Sequence, residues 1–375
     1  MSILECFGQA GAIGRLQRAR NAQRVPHGYI FHGPEGVGKG LLARQWAKLL
    51  LCGRPRRRAW PDQGIGIHHA GRDGEIDDCC DSCDDCRLAE AETHPDLHII
   101  NKNLAKYLPP GKLKQISLSI DVIREFVIKP AGVFPIRNRA RVFIIEQADS
   151  MKREAQNALL KTLEEPPAST FLILLTTRPN WFLPTVRSRC QSVRLVRLPK
   201  DFIYNKLRES GADEAQARYW ADFSEGRLGR ALKLAGMDIY DKKCELVGLL
   251  GQLDYGKTLS LAAWITNQAK EFGRSWCNDH PDDTTTAAER RGYICWLEII
   301  AHVYSCALRF ATAADMGRPN GFDQPEEIGI IAQKWDFWGC AEVIRATNRA
   351  RGRLEANVNQ ALLLESLLLE YIKYE

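Results

Sequence analysis

Apolar and polar positions along the first half of the chain fall into two alternating patterns. Residues 29–31, 97–100, 142–145 and 171–176 are short, nearly continuous apolar runs, as expected of strands buried on both faces. Between them lie stretches with apolar residues at helical spacing, of which 41–51 is the clearest. Strand-length runs alternating with helical periods predict a parallel sheet covered on both faces by helices, through about residue 197. After Leu198-Pro199 the strand pattern stops. Segments 202–209, 213–223 and 228–234 predict short helices. From about residue 242 nearly everything reads as helix, including 289–311 and 361–374, with a break at Gly317-Arg318-Pro319-Asn320-Gly321. The expected division is an α/β domain over 1–197, a small helical domain over 198–241 and an all-α domain over 242–375. A Gly-, Asp- and Arg-rich insert occupies 53–79 within the first.

The first predicted strand runs into Gly33-Pro34-Glu35-Gly36-Val37-Gly38-Lys39-Gly40, and a helix follows. Strand, glycine loop and helix in this order form a phosphate-binding loop: glycines let backbone N–H groups close on phosphate oxygens and Lys39 supplies charge. Gly40 stands where a Ser or Thr hydroxyl ordinarily holds Mg²⁺. The strand at 142–145 ends in Glu146-Gln147, where a working ATPase places two carboxylates. Glu146 can still approach a metal, but the amide of Gln147 cannot accept a proton from attacking water. The loop therefore reads as one that does not hydrolyse ATP and holds Mg²⁺ poorly, with ATP or ADP binding left open.

At 375 residues and 45% hydrophobic content the chain is long enough for two or three globular domains. No apolar run is read as reaching the ~18 to 20 residues needed to cross a bilayer, and the first residues lack a basic-then-apolar leader, so no membrane association and a cytoplasmic location are expected. The net charge of +6 is mild, and Arg54, Arg56, Arg57 and Arg58 are expected to lie on a solvated loop rather than on nucleic acid. Twelve cysteines in such a chain suggest metal before disulfides. Cys80, Cys83 and Cys86 repeat one short gap, and Cys52 at the end of the helix after the loop is the expected fourth thiolate of a structural Zn²⁺ site. Cys79, His68 and His69 remain as alternative ligands.

A resemblance then becomes specific. Asn157-Ala158-Leu159-Leu160-Lys161-Thr162-Leu163-Glu164-Glu165-Pro166-Pro167, Leu175-Thr176-Thr177 and Arg187-Ser188-Arg189-Cys190-Gln191 follow the loop and the cysteine cluster in the order found in bacterial clamp-loader AAA+ ATPases. Thr93-His94-Pro95-Asp96-Leu97 is also similar, and Glu355-Ala356-Asn357-Val358-Asn359 resembles that family's carboxy-terminal motif. The resemblance covers residues 1 to about 235 well and the rest loosely. It implies an AAA+ P-loop domain with a zinc module at about 52–86, a helical lid and a helical collar that assembles a complex. It also implies Thr176 or Thr177 as a nucleotide sensor, and Arg189 as an arginine finger projecting into a neighbouring subunit's ATP site. Gly226-Arg227-Leu228-Gly229-Arg230 resembles the second sensor, with Gly229 where an ATPase subunit places arginine. These departures point to the delta-prime branch, a component of the DNA polymerase III holoenzyme that helps load the sliding clamp onto primed DNA. Its implied partners are gamma/tau and delta subunits, the clamp and, through the complex, primed DNA. The competing readings are a gamma/tau-type ATPase with its own activity, and a stand-alone zinc and nucleic-acid-binding protein.

Overall fold

The computed structural model describes residues 2–59, 75–108, 118–137, 139–280, 283–313, 323–354 and 358–375. The alternative ligands His68 and His69, the turn at 317–321 and residues 355–357 of the carboxy-terminal motif lie outside the described residues. Two compact units are present: residues 1–198 with 227–229, and residues 199–226 with 230–375.

The described strands are β1 (Gly28–His32), β2 (Arg56–Ala59), β3 (Glu75–Asp78), β4 (Leu97–Ile100), β5 (Arg141–Ile145), β6 (Thr170–Thr176) and β7 (Gln191–Arg194). In the first unit, five of them form a sheet in the order β4-β5-β6-β1-β7, with every neighbouring pair parallel. Around it stand α1 (Ala10–Asn21), α2 (Lys39–Leu51), α3 (Asp84–Glu90), α4 (Ile120–Ile123), α5 (Lys129–Ala131), α6 (Arg153–Glu164) and α7 (Pro184–Arg187).

Alternate residues of each strand serve opposite faces. Tyr29, Phe31, Val142, Ile144, Ile173 and Leu175 pack with Ile13 and Leu16 of α1 and Leu42 and Trp46 of α2. Ile30, Phe143, Ile145, Leu172 and Leu174 pack with Val122 of α4, Leu159 of α6 and Val186 of α7. Burial on both faces is why these strands are continuous apolar runs. Because all five strands are parallel, the phosphate loop, Glu146 and Thr176 emerge at one edge of the sheet, where open α/β sheets place their ligands.

Two features depart from the sequence-based expectation. The arginine cluster is not a loop: Arg56, Arg57 and Arg58 lie on β2, antiparallel to β3, with Arg57 opposite Asp77 and Arg56 opposite Asp78. Arg58 lies 3.2 Å from Asp81, and Arg20 of α1 donates to Asp77 at 2.9 Å. The fully buried Asp78 accepts from Ser2 Oγ and from the Ile3 amide at 3.2 Å, tying the start of the chain to the hairpin. The second departure is that, among the described residues, one helix in the other unit is long and apolar enough by length and composition to cross a bilayer.

Thr93-His94-Pro95-Asp96 has a structural explanation. Asp96 is fully buried and accepts from the Ile136 amide at 2.8 Å, the Arg137 amide at 2.9 Å and Arg141 Nη2 at 2.9 Å. Burial alone would raise its pKa. The amides of Arg137 and Ile136 and the Arg141 guanidinium outweigh it and hold the carboxyl below the ordinary carboxylate range. Arg141 spends its other donors on the Val133 and Phe134 carbonyls, at 2.9 and 3.0 Å, so the buried pair is satisfied on both sides.

The second unit is helical: α8 (Lys200–Glu209), α9 (Glu214–Phe223), α10 (Leu228–Gly236, whose first two residues group with the first unit), α11 (Tyr240–Gly251), α12 (Thr258–Asp279), α13 (Thr285–Ala313), α14 (Pro325–Lys334), α15 (Phe337–Leu354) and α16 (Gln360–Ile372). The long apolar helix is α13, and half of its apolar window is buried. It contributes Tyr304 to an aromatic cluster with Trp335 and Tyr371, where Trp335 Nε1 donates to the Tyr371 carbonyl at 3.1 Å, and its buried Trp296 packs edge-on against Trp264 of α12.

Candidate functional site

The loop after β1 has the backbone that its glycines predict. Gly36 and Gly38 take φ of +80° and +94°, a left-handed conformation that a side chain would strain. Gly38 is the N-cap of α2, so the loop delivers its amides to a helix N-terminus. Lys39 Nζ folds over the loop and donates to the carbonyls of Gly33 and Pro34 at 2.8 and 2.6 Å. Burial lowers the pKa of this ammonium, against the opposing fields of Glu35 and Asp149. Gly229 lies directly on the loop: its amide donates to the Gly36 carbonyl at 2.9 Å, and a Cβ there would sit 3.2 Å from the same oxygen. A side chain at 229, arginine included, would therefore crowd the loop.

At the end of β5 the site differs from a metal-dependent one. Arg44, on α2, reaches back over Gly40 and donates Nη2 to Glu146 Oε1 at 3.1 Å and Nε to Glu92 Oε1 at 2.7 Å. Gly40 offers no side-chain oxygen, Glu146 is engaged by a guanidinium, and the next side chain is the amide of Gln147. These residues do not fit a Mg²⁺ ion, which needs several hard oxygens in near-octahedral array. Thr176 is buried, and its hydroxyl accepts from the Arg178 amide at 2.8 Å. The exposed Thr177 donates instead to Asp149 at 3.3 Å. Arg44 and Glu92 escaped the sequence reading. The available signal was spacing, since Arg44 lies four residues after Gly40 and so one turn above it on the same helix face.

Helix α2 ends at a second group of functional side chains. The sulfurs of Cys52, Cys80, Cys83 and Cys86 all lie within 4.8 Å of one another, with Cys52 to Cys80 at 3.6 Å and Cys80 to Cys86 at 3.8 Å. Zn–S bonds of about 2.3 Å at tetrahedral angles place sulfurs roughly 3.8 Å apart, so these four residues fit Zn²⁺. The Cys80 amide points at Cys52 Sγ (3.4 Å) and the Cys83 amide at Cys80 Sγ (3.3 Å), donors that stabilise thiolate charge. Cys79 is turned away, its thiol on Asp81 at 3.3 Å. The buried Lys48 of α2 clamps the module, donating to Asp81 at 2.7 Å and Glu90 at 2.5 Å. Burial would lower its pKa, but those two carboxylates reverse the effect and raise it.

A further group, Asp222, His302 and Cys306 in the helical unit, also falls within 4.8 Å. Cations already fill it: Lys200 and Arg309 reach Asp222 at 2.8 and 3.0 Å, and Arg309 donates to Cys306 Sγ at 3.1 Å. Burial pushes the His302 imidazole down to about 4, so it stays neutral.

Arg189 lies just before β7, at the opposite edge of the sheet from the loop. Gln191 pairs with Tyr29 at the start of β1, and a Cβ on Gly28 would sit 3.1 Å from the Arg189 carbonyl. The intervening rise of β1 is roughly 13 Å. The exposed guanidinium pairs with Glu164 at 2.8 Å and donates to the Thr185 carbonyl at 2.9 Å.

Comparison with known proteins places this arrangement. The family model described as DNA polymerase III, delta subunit matches residues 8–199. DNA polymerase III subunit delta' of Pseudomonas aeruginosa is 35% identical over 177 residues, which cover 47% of this chain and 43% of that protein. DNA polymerase III subunit delta' of Escherichia coli is 31% identical over 264 residues, 70% of each chain. DNA polymerase III subunit tau of Salmonella typhimurium is 28% identical over 321 residues, 83% of this chain and 44% of the relative. The chain spans about half the length of the first curated relatives it matches.

Proposed function

This chain belongs to the bacterial clamp-loader family of DNA polymerase III subunits, and we propose that within it the chain is a delta-prime-type subunit that completes a neighbour's ATP site without hydrolysing ATP at its own. The observation that carries this reading is the placement of its groups. Arg189 sits at the end of the strands opposite the chain's own loop, which supports a role at a site on another chain rather than at its own. The loop meanwhile lacks the metal-holding hydroxyl at Gly40, the water-polarising carboxylate at Gln147 and the second-sensor arginine at Gly229.

In this role the chain works by positioning and charge. Arg189 exchanges Glu164 for the γ-phosphate of a neighbour and stabilises charge that grows as the phosphoryl group transfers. The Cys52, Cys80, Cys83 and Cys86 thiolates hold a structural Zn²⁺, which cross-links the end of α2 to the knuckle before α3. The three-part division at 197/198 and 241/242 assigns a P-loop domain, a lid and a collar, the last joining gamma/tau and delta subunits. The complex acts in the cytoplasm and loads the sliding clamp onto primed DNA, which this chain meets through its partners. A gamma/tau-type ATPase is the second reading, favoured by the intact Gly36-Val37-Gly38-Lys39 backbone and the tau relative.

Assembly tests the proposal. Mixed with gamma/tau-type and delta subunits, the chain should co-elute with them in size-exclusion chromatography, and clamp loading should depend on its presence. A chain that elutes alone, with loading unchanged when it is left out, contradicts the reading.

A further inference from the structure

The guanidinium of Arg44 lies over Gly40, the position from which this type of loop ordinarily offers its metal-holding hydroxyl. An ideal Cβ built on Gly40 would lie 2.9 Å from Arg44 Nη1. A serine or threonine at position 40 and the observed Arg44 conformation therefore exclude each other. Nη2 of the same group engages Glu146, the acidic residue at the end of β5, at 3.1 Å. Arg44 thus lies between the two positions from which a metal-dependent loop takes its hydroxyl and carboxylate ligands. Gly40 makes the room that the guanidinium uses, so it is more than a lost hydroxyl.

The arginine is held from three directions. Its stem rises from α2 one turn above Gly40, Glu146 takes one nitrogen, and Glu92, just after α3, takes Nε at 2.7 Å. Two carboxylates on one guanidinium fix its plane. A guanidinium in this place carries positive charge permanently and offers N–H donors to phosphate oxygens, whereas Mg²⁺ would have to be recruited with its ligands. Together with Lys39 it supplies a second cation beside the loop without a metal.

We propose that Arg44 replaces Mg²⁺ in this loop, so that the loop takes a nucleoside di- or triphosphate through Lys39, Arg44 and backbone amides, independently of divalent metal. The inference rests on reading residues 33–40 as an anion-binding loop, and it gives that loop a retaining rather than a hydrolytic task. Glu146 and Glu92 release part of their hold on Arg44 as its donors turn to the phosphates.

The test is the affinity of the purified full-length chain for N-methylanthraniloyl-labelled ADP and ATP, by fluorescence titration in EDTA and in MgCl₂. The expected result is equal affinity in the two buffers within about twofold. Arg44→Ala should weaken binding in EDTA by at least about tenfold. Gly40→Ser combined with Arg44→Ala should bind better in MgCl₂ than in EDTA, because the pair restores a metal-ligand oxygen and vacates its site. Thermal melts of each variant separate loss of binding from loss of fold. Binding that needs Mg²⁺ in the unmutated chain overturns the inference, as does an Arg44→Ala variant that melts normally and binds in EDTA like the unmutated chain. Absence of binding in both buffers also overturns it, and it leaves the assembly reading intact, because co-elution with partner subunits measures that separately.

Discussion

Replacing Arg189 by alanine is expected to leave this chain folded and assembled while slowing ATP hydrolysis at the one neighbouring site it faces by on the order of 10³- to 10⁵-fold. Within its own chain Arg189 makes an exposed ion pair with Glu164 and a bond to the Thr185 carbonyl. Exposed pairs of this kind contribute about 0 to 1 kcal/mol, so folding is barely affected. The effect in the complex is large because the guanidinium acts where charge appears in the transition state. Arg189→Lys is a poor rescue, since an ammonium lacks the planar fork that spans two phosphate oxygens. Steady-state turnover of the whole complex should fall only by that site's share. Single-turnover hydrolysis, with gel filtration to verify assembly, resolves the site. Unchanged single-turnover hydrolysis in an intact mutant complex removes the role assigned to Arg189.

The second large effect concerns metal. Replacing Cys83 and Cys86 together by alanine should abolish zinc in the purified chain and sharply lower its melting temperature. Structural Zn²⁺ is worth about 10 to 16 kcal/mol in isolated zinc modules. A smaller part of that is expected here, because the module also rests on the Lys48 ion pairs with Asp81 and Glu90 and on the hairpin held by Asp78. Cys79→Ala, by contrast, should leave the zinc content at one ion per chain, since its sulfur faces Asp81. Metal analysis showing no zinc in the unmutated chain, or full zinc in the double variant, rejects the site.

The parts of the fold legible in the sequence are those where one physical demand acts alone. β1, β4, β5 and β6 were visible because strands packed between two helical layers have no solvated face. β7 was not: Gln191-Ser192-Val193-Arg194 buries mainly Val193, which a loop also does. The β2 and β3 hairpin was hidden for a different reason. Its stabilisation lies between strands, with Arg57 facing Asp77, and a charge run shows its partner only when the pairing is known.

At the site, the glycine loop and the cysteine spacing were legible because each requires special residues at fixed intervals. The role of Arg44 was not, since a single arginine on an amphipathic helix has the appearance of a solvated residue. Only the third dimension brings Glu92 and Glu146 to it. The apolar length of α13 likewise gained its meaning from Trp296 and Tyr304, which bury it among aromatic neighbours.

The central claim is that this chain lends an arginine and hydrolyses nothing itself. It is tested most directly by ATPase measurement on a reconstituted complex in which every gamma/tau-type subunit carries an alanine for its own phosphate-loop lysine, while this chain is unaltered. The account predicts no turnover above background. Turnover in that complex that disappears when Lys39→Ala is introduced would contradict it.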